Sequence, residues 1–274
     1  MAEGFTAGEL AKATAGLTAW LRGQVENSGA GGIVFGLSGG VDSALLAALC
    51  REALGDRCLA LILPCHSSPQ DVADAEAVAR HVGIKVRTVE LDSLYDAALA
   101  LMAPEGAAAG ARPQAGSREA MAAANLKPRL RMLTMYYYAN LRGWLVAGTT
   151  NRAEMTVGYF TKYGDGGADL FPLAGLLKDE IWALARYHGL PEQVIVKPPS
   201  AGLWAGQTDE EEMGFSYKEL DAYLRGQPVD PAIARRIESL HAASAHKRQR
   251  PPGGPTWDQL MAAGGKIVAE VSKD

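Results

Sequence analysis

"GLSGGVDSALL", residues 36–46, joins two segments of different period. Before it lies "GIVFGL" (32–37), a short apolar run of the kind that forms a buried strand. It opens "VDSALLAALCREAL" (41–54), which reads as a helix with Leu45, Leu46 and Leu49 on its inner side. Between them stand Ser38, Gly39 and Gly40, with Ser43 just inside the helix. A bound phosphate needs several N–H donors at close range. Glycine lets the backbone approach without a Cβ, and a helix N-terminus adds positive potential. Gly36, Leu37, Ser38, Gly39, Gly40, Val41, Asp42 and Ser43 are therefore candidate contacts for a nucleotide, with the Ser38 and Ser43 hydroxyls as extra donors. Asp42 would repel a phosphate directly. It fits if Mg²⁺ lies between carboxylate and phosphate. The loop lacks the Gly-Lys-Ser/Thr of a Walker A motif and the spacing of a GxGxxG loop.

Working outward, "CLALILP" (58–64) reads as a second strand ended by Pro64. "SPQDVADAEAVARHVG" (68–83) reads as a helix capped by Ser68, with Pro69 in its first turn and Gly83 at its end. "IKVRTVEL" (84–91) alternates as a third strand, and "DSLYDAALALM" (92–102) is a helix opened by an aspartate. This β-α-β-α-β-α order predicts an α/β fold with a doubly wound, mostly parallel sheet and helices on both faces. The glycine loop then sits at the C-terminal end of the first strand, where such sheets bind ligands.

The rest reads as a helix over about 119–142, a fourth strand with its exit loop in "WLVAGTTN" (144–151), a glycine-dense loop over 156–177 and a helix from Lys178 to His188. "YKELDAYLRG" and "DPAIARRIESLHAASAHKRQ" read as terminal helices. The long helix presents Met121, Leu126, Leu130, Leu133, Tyr137 and Leu141, which suit either an interface or a core. Residues 103–118 and 200–215 read as mobile loops. No linker divides the 274 residues, so 1–274 is read as one domain.

The net charge of −4 gives no footprint for nucleic acid, and no apolar run reaches membrane-spanning length. The start lacks a signal-peptide pattern. Three cysteines without a CxxC pair suggest a reducing, cytoplasmic setting without structural zinc. Cys50, Cys58 and Cys65 read as small core residues, with Cys65 the most accessible.

"SGGVDS" resembles the pyrophosphate loop of the N-type ATP pyrophosphatases, whose members cleave ATP between its α and β phosphates. "NLKPRLRM" (125–132), "GTTNRAEMTVGYFTKYGDGGADLFPLAGLLK" (148–178), "KPPSAGLWAGQTDEEEMGFSY" (197–217) and "HKRQRPP" (246–252) each resemble a block of the NAD synthetases, in that family's order. The resemblance implies a Rossmann-like sheet and a homodimer. It implies ATP contacts at Thr149, Lys178 and Ser200, and a Mg²⁺ held by Asp42 and Glu154. It also implies contacts to deamido-NAD at Arg129, Lys162, Asp169, His246 and Lys247. Asp169 suits a ribose hydroxyl or the cationic pyridinium, and Arg129 is preferred over its neighbour Arg131. Asp209 is the candidate for ammonia. The implied chemistry is ATP-dependent amidation of deamido-NAD through an acyl adenylate, with no protein nucleophile. Loops 103–118 and 200–215 would order over the substrates. Glutamine-dependent relatives carry an additional amidase domain. With a first strand near residue 32, ammonia is the expected direct nitrogen donor. The alternative is another N-type pyrophosphatase that amidates or thiolates a different substrate.

Overall fold

The computed structural model describes residues 4–102, 117–200, 202 and 208–262. Helix α1 (Ala7–Ser28) leads into β1 (Ile33–Gly36), α2 (Val41–Leu54), β2 (Cys58–Ile62), α3 (Pro69–Val82), β3 (Val86–Thr88) and α4 (Asp92–Met102). Then come α5 (Arg118–Arg142), β4 (Leu145–Ala147), α6 (Arg152–Val157), α7 (Lys178–Tyr187) and α8 (Glu192–Ile195). The chain continues through α9 (Asp209–Met213), α10 (Tyr217–Leu224), α11 (Pro231–Ala243), α12 (Ala245–Arg248) and α13 (Trp257–Ala262).

The four strands pair in parallel in the order β3-β2-β1-β4. Alternation along each strand sorts side chains to two faces. Ile33, Phe35, Cys58, Ala60 and Ile62 join the core beneath α1, α2, α3 and α7. Val34, Leu59 and Leu61 join the opposite core with Tyr95 of α4 and Leu130, Met135 and Tyr138 of α5. Helices therefore cover both faces, as the sequence order predicts. Leu45, Leu46 and Leu49 are fully buried. Truncating any one to alanine removes about 2–5 kcal/mol. A third cluster joins Ala153 and Val157 of α6 to Met213, Phe215, Tyr217, Leu220 and Ile237, and it stands beside the sheet at its β4 end.

Several expectations are revised. Cys65 is buried like Cys50 and Cys58, all three are free thiols, and burial raises its pKa. It sits behind the exit of β2 against the α5 core, so it is not the accessible thiol. Residues 209–213 form α9 rather than loop. Residues 103–116, 201 and 203–207 lie outside the described residues, and with them most of the two predicted mobile loops. Ser117 is the N-cap of α5, so the end of the first loop belongs to that helix. On α5, Leu130 is buried, whereas Leu133, Tyr137 and Leu141 are 60%, 60% and 62% exposed. The helix serves both roles that its pattern allowed, core on one side and a free apolar face on the other. Among the described residues, no helix is long and apolar enough to cross a membrane.

Candidate active site

The loop after β1 is locked internally. Ser38 N donates to Ser43 Oγ at 3.1 Å, Gly40 N donates to Ser38 Oγ at 3.3 Å, and Ser43 Oγ donates to Gly40 O at 2.9 Å. The serines thus shape the loop as well as offering hydroxyls. Gly39 has φ +84°, and a Cβ there would lie 2.4 Å from the Asp71 carbonyl oxygen. Only glycine fits where α3 presses on the loop. Gly40 is the N-cap of α2 and supplies no side-chain cap. The first-turn N–H groups of α2 are therefore left to a ligand, the arrangement that binds anions.

Three charged side chains converge beside that helix end. Lys178, at the start of α7, is 1% exposed. Its Nζ donates to Asp42 Oδ2 at 2.6 Å and lies 3.6 Å from Glu154 Oε1. Asn151 Nδ2 donates to Asp42 Oδ1 at 3.0 Å, while its Oδ1 accepts from Glu154 N in a capping box. The tie to Asp42 was not foreseen, although Asn-x-x-Glu before α6 is a readable capping signal. Burial, reinforced by Asp42, raises the Glu154 carboxyl above its ordinary pKa. Burial acts to lower Lys178, but Asp42 and Glu154 outweigh it and hold the ammonium above its ordinary pKa.

Tyr217 of α10 is fully buried behind these side chains. Its hydroxyl lies 3.1 Å from Glu154 Oε1 and 2.9 Å from Asp209 Oδ2, and Lys178 Nζ sits 4.7 Å from its ring centroid. Burial keeps the phenol far above its usual pKa, so it remains a donor. Burial also raises Asp209. Tyr159 donates a short hydrogen bond to Glu212 nearby. One turn along α10, Asp221 accepts from Asp179 N at 3.1 Å, and Arg225 holds Asp179 in a two-pronged ion pair. The first turn of α7, and with it Lys178, is anchored from outside the sheet.

Asp42, Glu154, Lys178, Tyr159 and Glu212 border a cavity of about 630 Å³, with Tyr217 buried behind them. Of the residues expected to contact ATP, all except Gly39 line it, including Thr149, Lys178 and Ser200. Glu154 and Asp209 line it as well. Of the five expected to contact deamido-NAD, only Lys247 does, with its Nζ on the carbonyls of Gly158 and Phe160 at 2.6 and 2.7 Å. Arg129 is exposed and reaches the Lys162 carbonyl at 3.4 Å. Asp169 is exposed and accepts from Val146 N at 2.7 Å and Tyr136 Oη at 3.0 Å. Lys162 is half-buried and His246 is exposed. Arg131, rather than Arg129, points into the cavity, with Nε on Leu63 O and a terminal nitrogen on Ser67 Oγ. Along a helix, residues two apart face different ways, which is what separates these arginines.

Among the described residues, no group of three or more His, Cys, Asp or Glu forms a ready cation cage. Asp42 and Glu154 are a pair of carboxylates, one from the first turn of each of two helices. That pair fits Mg²⁺, which takes one or two carboxylates together with substrate phosphates.

The family model described as NAD synthase matches residues 13–251. The chain belongs to the NAD synthase family. Among curated relatives, the "NH(3)-dependent NAD(+) synthetase" of Carboxydothermus hydrogenoformans is 46% identical over 235 residues, covering 86% of this chain and 93% of that one. Among solved structures, "NMN synthetase from Francisella tularensis" superposes with TM-score 0.82 at 37% identity, covering 92% of this chain and 100% of that one. The "NH3-dependent NAD synthetase" of Campylobacter jejuni superposes with TM-score 0.71 at 30% identity over 90% and 99%. Membership of the NAD synthase family favours amidation over the thiolating alternative.

Proposed function

We propose that this NAD synthase family member amidates deamido-NAD with ammonia at the expense of ATP, giving NAD, AMP and pyrophosphate. The observation that carries the reading is the single cavity wall formed by the uncapped α2 N-terminus, Asp42, Glu154 and Lys178. Anion donors, a carboxylate pair and a buried ammonium together suit a triphosphate. Mg²⁺ held by Asp42 and Glu154 would neutralise phosphate charge.

A nicotinate carboxylate is a poor electrophile. Its oxygen attacks the α-phosphorus of ATP, the bond to the bridging oxygen breaks, and pyrophosphate leaves. Lys178 and the α2 N–H groups are suited to take up the charge that builds on the leaving group. Ammonia then attacks the acyl carbon of the adenylate, loses a proton, and AMP departs. Asp209, which lines the cavity and accepts from the Tyr217 hydroxyl, is our candidate for binding the ammonium. The chain supplies orientation and exclusion of water, which would otherwise hydrolyse the adenylate.

A second reading concerns the size of the substrate. Both nicotinic acid mononucleotide and deamido-NAD present the same carboxylate, and the likeness to the Francisella NMN synthetase favours testing the smaller one. We further propose a homodimer through α5. Arg129, Leu133, Tyr137 and Leu141 recur every fourth residue and so share one stripe, and its apolar members are exposed. Free buried thiols support a cytoplasmic setting.

Purified protein with ATP and Mg²⁺ is to be given deamido-NAD or nicotinic acid mononucleotide, each with ammonium or glutamine. Amidation of deamido-NAD with ammonium is expected. Amidation of the mononucleotide alone would replace the first reading by the second. No amidated product with ammonium would overturn both.

A further inference from the structure

Lys197 follows α8 and begins the stretch that carries Ser200 three residues on. Its Nζ lies 2.6 Å from Asp71 Oδ1 and 2.7 Å from Asp74 Oδ2, both on α3. Asp74 is 3% exposed and also accepts from Gln70 Nε2 at 2.8 Å. The same turn of α3 meets the phosphate loop. The Asp71 carbonyl and the Ala75 amide lie 2.4 and 3.2 Å from the position of a Cβ on Gly39. Asp71, Lys197 and Ser200 all border the cavity.

One ammonium therefore joins two of the walls around the nucleotide. It also offsets two carboxylates next to a cavity suited to a polyanion. Without it, Asp71 would keep an unmasked negative charge at the cavity, Asp74 would be buried without its cation, and α3 would lose this ion-pair tie to the stretch that leads to Ser200. We propose that Lys197 is a positioning residue for ATP, holding α3 against Gly39 and masking Asp71 and Asp74. It contributes through these partners rather than by touching the reacting atoms. The proposal rests on the reading of this cavity as the ATP site.

The test uses the full chain and measures ATP binding by calorimetry without the second substrate, alongside KM values. Lys197→Met is expected to weaken ATP by about tenfold, the scale of a lost charged hydrogen bond, with kcat and the KM for deamido-NAD within about twofold. Lys197→Arg keeps the charge and is expected to retain ATP affinity within about threefold. Asp74→Asn leaves the lysine in place, and a smaller weakening of ATP is expected if Lys197→Met does not fold. Equal ATP affinity in the wild type and the folded variants would overturn the proposal. So would a parallel loss for both substrates that follows a fall in Tm. A wild-type chain that binds no ATP would instead sink the nucleotide reading itself.

Discussion

The two ends of the cavity differ in how much one chain supplies. At the α2 end, the helix N-terminus, Asp42, Glu154, Lys178 and Tyr217 are gathered within hydrogen-bond or ion-pair reach and largely buried. At the α5 end, Arg129, Asp169 and His246 are exposed, and Lys247 alone of the expected set faces inward. On the proposed function, one chain supplies most of the ATP side, whereas the side for the second substrate is left open toward α5. The proposed homodimer through the α5 stripe would close it.

The strongest way to break this contrast is at the α2 end. Lys178→Met removes the buried cation between two carboxylates. A fall in kcat of roughly 10²–10³-fold is expected in steady-state assays. A near-normal kcat would show that the enclosed end is not where the chemistry occurs. Gly39→Ala should come next. It forces a side chain into a left-handed backbone and onto α3, and ATP affinity measured by calorimetry should drop by about 10–100-fold. An unchanged affinity would mean the loop shape is irrelevant.

Leu133→Asp sharpens the other end. It places a charge on an exposed position, so folding should be retained. Sedimentation is expected to show monomers, with the KM for deamido-NAD raised by about tenfold and that for ATP within about twofold. Equal effects on both substrates would erase the distinction between the two ends.

The smallest effect concerns the anchor of α7. Burial pushes the Asp221 carboxyl up to about 6, above the about 3.9 of an unfolded chain. The protonated form is favoured on folding, so this group's stabilisation is present below pH 4 and lost as pH rises through 6. Asp221→Asn keeps an acceptor for Asp179 N without the charge. Its Tm should match wild type near pH 4 and exceed it by on the order of 2–4 °C above pH 7. A constant difference across that range would assign the burial penalty elsewhere.

The sheet and the phosphate loop were legible in the sequence because both rest on local signals. Apolar runs, glycines and caps within a dozen residues placed β1 and β2 within two residues, and α2 at its observed bounds. The VRT strand β3 was read too long, since its side chains are exposed at the sheet edge and only three residues pair. Helix α6 falls mostly between the exit loop read to Asn151 and the glycine-dense loop read from residue 156, and its six residues are too few to show a helical period. The pairings that assemble the site were not legible. Lys178 meets Asp42 across 136 positions, Asn151 meets it across 109, and Lys197 meets Asp71 across 126. No local pattern encodes such distances. The residue types pointed to phosphate and metal chemistry, and family resemblance supplied the roles. Geometry alone distinguished Arg131 from Arg129.

Tyr217 stands outside the sheet, in the cluster formed by α6, α9, α10 and α11, yet its hydroxyl reaches the active-site carboxylates and its ring underlies Lys178. This makes the site a poor candidate for miniaturisation. A chain pared back to the four strands and their flanking helices would keep the phosphate loop but lose the scaffold of Lys178. On the proposed function, the auxiliary helices belong to the smallest unit that can work as a catalyst.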